Sequence, residues 1–318
     1  MLKRIQWALF VVMAFGLTHL SLFALQSTTQ QANSQQTNSQ QTNSQQASRT
    51  ANPTVIDIPQ LTESSGIAFS TRTNDLLFSH NDSGDTARLF AFNLEGKLAY
   101  ELEVEKAKAK DWEDMCSFEH DGKNWLAVGD IGDNEFKRDS VSIYVLKEPK
   151  EKEGDLRRKS EIEYELQVEY PRGAVNSEAL AYDPIKHAFI LLSKENFNCV
   201  IYEVAIPDEP KKEQRVEAKK IGEQVIPMAT GADISRDGKK LVICTYGPAC
   251  MLERNPDNLN EPWKQPANEL AKTFFQVPPR RQGEAICFSP RGDQLWLTSE
   301  HLPTPLIKVE LAEIKFAK

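Results

Sequence analysis

One pattern of about twenty residues, a strand, a polar turn and a second strand, recurs five times along this chain and restricts it to a repeat architecture. The copies read SSGIAFSTRTNDLLFSHND, WEDMCSFEHDGKNWLAVGD, SEALAYDPIKHAFILLSKE, TGADISRDGKKLVICTY and GEAICFSPRGDQLWLTSE. In the second copy, apolar residues alternate over 115–118 and 125–128 about an Asp121-Gly122 turn, which is a hairpin signal, and acidic loops flank both ends. Aligned on their turns, the first strands begin at Ser65, Glu113, Glu178, Thr230 and Glu284. The resulting period, roughly 50 residues, fits a β-propeller built of four-stranded blades.

Outer strands are expected at 88–92 and 98–104, 141–146 and 162–170, 200–204 and 215–221, and 250–254 and 270–277. Only three strands fit after Glu284, ending near 306–311, so 54–58 is expected to arrive from the N-terminus as the fourth. That strand closes the ring and leaves no exposed edge. The fold class is therefore all-β, a propeller of five blades, or of six if the long stretch from Glu113 to Glu178 holds a further blade.

The chain has 318 residues, 40% of them hydrophobic, and a net charge of -8. It can bury a substantial core, and its acidity argues against nucleic acid or an anionic membrane surface as partner. Lys3 and Arg4 precede an apolar run over 5–25, the charge order of a secretory signal. Residues 1–26 are read as a signal peptide or an uncleaved N-terminal anchor, the only membrane attachment expected. Residues 27–52 repeat QQANS and QQTNS and form a polar, disordered spacer, and 53–318 form the propeller. A periplasmic or secreted, monomeric protein is expected. The five cysteines show no CxxC or metal-ligand spacing. Cys244 and Cys250 flank a turn at Gly247-Pro248, so a disulfide there and buried free thiols are both compatible with the sequence.

First strands of propeller blades line the central channel, so Ser65, Glu113, Glu178, Thr230 and Glu284 should converge. Three carboxylates in a confined channel either rise in pKa or surround a cation, and hard oxygen ligands suit Ca²⁺. The bland alternative is a wet channel mouth without metal. Ends of the second strands reach the same face and bring His80, Asn81, Asp82, Asp130, Asn134, Lys194, Tyr246 and Glu300, while Asp111 and Asp114 flank the first set. Asp82, Asp114, Asp130 and His80 are the candidate catalytic groups. Asn81, Asn134, Lys194, Tyr246 and Glu300 are the candidate substrate contacts. GDIGDN is no phosphate-binding glycine loop, since it is acidic and no helix follows it; EF-hand spacing and a GxSxG elbow are absent.

HNDSGD, DWED, GDIGDN, SEAL, GADISRDG and QGEA together resemble a family of exported bacterial β-propellers loosely labelled phytase-like or WD40-like, over about residues 55–310. More remotely, the order hydroxyl, Glu, Glu, hydroxyl, Glu is similar to that of the five-bladed calcium-activated nucleotidases (apyrases), whose central Ca²⁺ is held by Ser, Glu, Glu, Ser and Glu. The resemblance implies that Ser65, Glu113, Glu178, Thr230 and Glu284 are Ca²⁺ ligands and that Asn81-Asp82 lies near the phosphates. Two departures stand out: Thr230 replaces Ser, and Lys194-Glu195 replaces a basic pair. The implied activity is Ca²⁺-dependent hydrolysis of a phosphate ester or anhydride. The alternatives are a non-catalytic ligand- or protein-binding propeller and a lactonase or esterase that uses His80.

Overall fold

The computed structural model describes residues 53–150, 154–261, 263 and 271–314, all within the compact unit Thr50–Lys318. The expected leader and spacer lie outside the described residues. No helix among the described residues is long and apolar enough to cross a membrane.

A short strand β1 (Thr54–Val55) precedes the first blade, which runs β2 (Ser64–Phe69), β3 (Leu76–Asn81), β4 (Arg88–Asn93) and β5 (Leu98–Glu105). Blade two is β6 (Trp112–His120), β7 (Lys123–Asp130), β8 (Val141–Lys147) and β9 (Arg157–Glu169). Blade three is β10 (Ser177–Asp183), β11 (Ala188–Ser193), β12 (Cys199–Ala205) and, after an intervening β13 (Glu213–Glu217), β14 (Lys219–Gln224). Blade four is β15 (Ala229–Ile234), β16 (Lys240–Thr245), β17 (Ala249–Glu253) and β18 (Ala271–Phe275). Blade five is β19 (Ala285–Phe288), β20 (Gln294–Thr298) and β21 (Pro305–Glu310), completed by β1 through Thr54–Leu306 and Val55–Pro305 pairing.

Blades stack face to face, so both faces of the inner strands are covered. β10 (SEALAYD) and β11 (AFILLS) are buried at every residue, as expected of strands covered on both sides. The outermost β9 instead alternates between buried and exposed positions. Along β7, Leu126 and Val128 pack toward blade one while Trp125 and Ala127 pack toward blade three. Five hydrophobic clusters result, each mixing residues of two consecutive blades, and one joins blade five to blade one. The ring is closed by that last cluster, in which Ile56, Ile58 and Leu61 pack with Phe69, Phe92 and Trp296.

The long second unit contains no sixth blade. Its extra length builds β9, whose early residues pair in parallel with β5 and whose later ones pair with β13, so the rims of three blades are sewn together. The single outer strand expected at 215–221 is accordingly split at Ala218: β13 leaves to pair with β9, and β14 completes blade three. The Asp121-Gly122 turn has positive φ at both residues, 50° and 66°, as a two-residue hairpin of this kind requires. All five cysteines are free and buried. Cys244 and Cys250 point to opposite faces of blade four, Cys250 toward blade three and Cys244 toward blade five, which rules out a bond between them.

Candidate functional site

The first strands of blades one to four each carry a register break at the predicted channel position: Ser64/Ile67, Trp112/Asp114, Ser177/Ala179 and Ala229/Gly231. A bulge gives the strand one unpaired residue and re-aims its side chain. Glu113, Glu178 and Thr230 are those residues, Ser65 and Gly66 together span the wider break in β2, and Glu284 directly precedes β19. All five are at most 4% exposed.

Their partners differ. The Ser65 hydroxyl donates to the Glu113 carbonyl at 2.5 Å and the Thr230 hydroxyl to the Gly283 carbonyl at 2.7 Å, so each ties its blade to the next. Glu178 accepts from Asn176 Nδ2 at 3.0 Å and forms an ion pair with Lys194, whose Nζ also donates to the Tyr246 hydroxyl at 2.8 Å. Glu284 Oε1 accepts from Gln282 at 3.0 Å, while its Oε2 is buried with no hydrogen-bond partner among the described residues. The Glu113 carboxylate makes no hydrogen bond or ion pair among the described residues. It instead lies with Asp82 and Asp111, their oxygens within 4.8 Å of one another. Gly132 makes this approach possible: a Cβ there would sit 2.2 Å from Glu113 Oε1 and 2.4 Å from Asp111 Oδ2.

The mouth therefore has two halves. On one side stand three carboxylates that form no ion pair among the described residues, and on the other Lys194 lies among Glu178, Tyr246 and Glu284. Burial, reinforced by the neighbouring acids, holds Glu113 well above the ordinary carboxylate range. Burial likewise pushes Asp82 up to about 7 and Glu284 up to about 8, against the pull of Lys194. Asp111, Glu178 and Glu300 are raised by the same cause. Lys194 is raised by Glu178 and Tyr246 in spite of its burial. Asp82, Asp111 and Glu113 are the residues that could hold a metal ion, and they offer it hard oxygen donors.

Several predicted groups are engaged elsewhere. Asp114 sits inside the ring, where its carboxylate accepts the backbone N–H of Met115 (2.8 Å), Leu180 (2.9 Å) and Ala232 (3.0 Å), so it staples three blades and is no general base. Asp130 is paired with Arg138 at 2.7 Å and also accepts from the Asp111 backbone, so it is engaged in holding this loop. His80 is fully buried edge-on against Trp112, with Nδ1 on the Asn81 carbonyl at 2.8 Å. Burial lowers its pKa to about 4. It is a neutral residue buried behind the mouth, with Nε2 left without a hydrogen-bond partner among the described residues. Asn81 is spent on structure, since its Oδ1 accepts from Thr62 and Glu63 and its Nδ2 donates to Gln60 and Asp85. Asn134 and Tyr246 are exposed around the mouth, and Glu300 lies close enough to Glu284 for the Glu284 carboxyl to act on it.

Of the arginines near the channel, Arg138 is taken by Asp130 and the Gly132 carbonyl, Arg172 by Glu195, and Arg280 by Cys244 Sγ and the Thr245 carbonyl. Gly132 and the pairing of Asp111 with Glu113 escaped sequence reasoning, although the DWED and GDIGDN stretches contain them.

No family model matches the chain, and no curated protein matches it. Among solved structures it is similar to the nidogen/laminin complex, at 12% identity and a TM-score of 0.45, over 81% of this chain and 80% of that one. It is also similar to the luciferin-regenerating enzyme, at 11% identity and a TM-score of 0.42, over 83% and 97%. A gluconolactonase from Xanthomonas campestris is matched at 12% identity and a TM-score of 0.40, over 80% and 88%. By its own strand order and its five inter-blade clusters, the chain is a five-bladed β-propeller with an acidic channel mouth.

Proposed function

We propose that this protein is a Ca²⁺-dependent hydrolase that cleaves phosphate esters or anhydrides at the channel mouth. The observation that supports this reading is the grouping of Asp82, Asp111 and Glu113 within 4.8 Å, with no cationic partner on the 4%-exposed Glu113. When bound, the ion supplies charge that polarises a phosphoryl oxygen. Lys194 spends two of its three N–H groups on Glu178 and Tyr246, which leaves one for a second substrate oxygen. Glu284, pushed up to about 8, carries a proton at neutral pH. As water adds to phosphorus and the bond to the leaving oxygen breaks, Glu284 protonates that oxygen and regains a proton from the water. In the same proposal the protein is exported, acts as a monomer on a small phosphorylated substrate, and binds no nucleic acid.

Thermal unfolding in millimolar Ca²⁺ and in chelator, for the wild type and Glu113→Gln, tests the ion. At about 100 times its dissociation constant a ligand adds about 2.7 kcal/mol, so the wild type should shift and the variant should not. Phosphate release from p-nitrophenyl phosphate and from nucleoside triphosphates tests the chemistry. A missing Ca²⁺ shift, or one that survives in Glu113→Gln, overturns the ion. A shift without phosphate release overturns the hydrolase.

A further inference from the structure

Beside Lys194 the mouth opens into a groove of about 640 Å³ that the hydrolytic chemistry does not use, lined by Asn134, Phe136, Arg172, Asn196, Phe197 and Asn198 among others. Its size falls in the range of small-molecule sites. Two phenylalanines rim it, and both protrude: Phe197 is 81% exposed and Phe136 61%.

Phe136 is also held with φ at 52°, a left-handed conformation that bulky side chains avoid. Asp133 enforces it. Its carboxylate accepts the N–H of Lys137 and of Arg138, each at 2.9 Å, its carbonyl accepts the Phe136 N–H at 2.9 Å, and its own N–H donates to Asn176 Oδ1 at 2.7 Å. A loop clamped on both sides to present an exposed aromatic ring is a preorganised platform, and observed strain of this kind points to function.

The charges in the groove cancel. Arg172 is paired with Glu195 at 2.6 Å, and Lys194 is turned inward onto Glu178. What remains are amide groups. Among the described residues Asn134 is hydrogen-bonded through its Oδ1, to Asn176, and Asn198 through its Nδ2, to Glu223, which leaves amide donors and acceptors on residues that line the groove. Aromatic faces with uncharged amides fit a polyhydroxylated ring: the C–H face of a sugar lies on phenylalanine, and its hydroxyls pair with amides. A basic peptide would find no net charge here, and a nucleobase, which also stacks on open rings, is the competing occupant that the titration below separates.

We propose that the groove is a saccharide-binding subsite, so that the substrate is a phosphate ester of a sugar or glycan whose ring rests on Phe136 and Phe197 while its phosphate reaches Lys194. The substrate assignment rests on the hydrolase proposal, whereas the binding of saccharide does not.

Calorimetric titration of the protein in chelator with chitotriose, cellotriose and maltotriose, and with adenosine and uridine, separates the two. Saturable binding of at least one trisaccharide is expected, weakened tenfold or more in Phe197→Ala and Phe136→Ala. Both variants should keep the Ca²⁺-dependent thermal shift, and Glu113→Gln should lose that shift yet bind saccharide as before. With glucose 1-phosphate and methyl phosphate, which has no ring to rest on the platform, as substrates, Phe197→Ala should lower kcat/KM about tenfold for the first, well beyond its effect on the second. Failure of every trisaccharide to bind, binding indifferent to both phenylalanines, or binding of the nucleosides alone overturns the subsite. Saccharide binding without phosphate release leaves the subsite standing and overturns the hydrolase.

Discussion

Lys194 is the one ammonium the described channel mouth places among carboxylates, and its charge opposes the burial that raises Glu178 and Glu284. Replacing it with methionine leaves Glu178, 2% exposed, as an uncompensated buried acid. Breaking one side of a buried pair costs about 3–5 kcal/mol. Lys194→Met should therefore melt earlier at pH 8, with a smaller loss at pH 5, where Glu178 can protonate; scanning calorimetry at the two pH values checks this. On phosphate esters its kcat should fall roughly 100- to 1,000-fold, the scale seen when one stabilising donor is removed. Much of this residue-level picture was legible, since Glu113, Glu178, Glu284 and Lys194 stand at fixed offsets in the repeat. The partners were not. An Asp that receives three backbone N–H groups, as Asp114 does, and one that stands open to the mouth, as Asp82 does, have the same side chain, and only the fold distributes the donors between them. Exposure of Phe136 and Phe197 was equally hidden, because a phenylalanine in a loop gives no sign of whether a neighbouring blade covers it.

Inner strands are where acid groups are built into the fold, and there pH acts on stability. Asp233, on β15, accepts the Phe288 N–H of blade five and the Ile234 N–H, both at 2.8 Å, and burial pushes it up to about 7 from 3.8. Its folded pKa lies above its unfolded one, so the stability it contributes is complete below about pH 4 and is lost as pH rises through 7. The difference of about three pKa units corresponds to a swing on the order of 4 kcal/mol. Glu284, raised in the same direction to about 8, extends the window upward. In chelator the melting temperature should fall between pH 5 and pH 8, and the slope should flatten in Asp233→Asn, whatever that variant's absolute stability. The strands themselves were well marked in the sequence wherever a turn with Gly or Asp separates two apolar runs. The split of 215–221 into β13 and β14 was not, because pairing with β9 depends on how far that neighbouring strand extends beyond its own blade.

At the scale of the whole molecule the ring is held by its five interfaces, and the one that closes it uses residues from both ends of the described chain. Ile58, 1% exposed, belongs to that interface. Ile58→Ala should cost about 2–5 kcal/mol, the range for emptying a packed core site, read as a lower denaturant midpoint with unchanged slope. Closure could be inferred before any coordinates, since three strands after Glu284 cannot complete a blade and an apolar strand stood ready at 54–58, whereas the blade number stayed between five and six until β9 accounted for the length of the second unit. The pairing of Thr54 with Leu306 also imposes an order on synthesis. The first strand of the propeller to leave the ribosome is the last to find its partner, after roughly 250 further residues have followed it, and contacts of such long range form slowly. Until then every nascent intermediate carries two raw apolar faces, one on blade one and one on the newest blade. The demand for chaperones should be sustained throughout translation and end abruptly when blade five emerges.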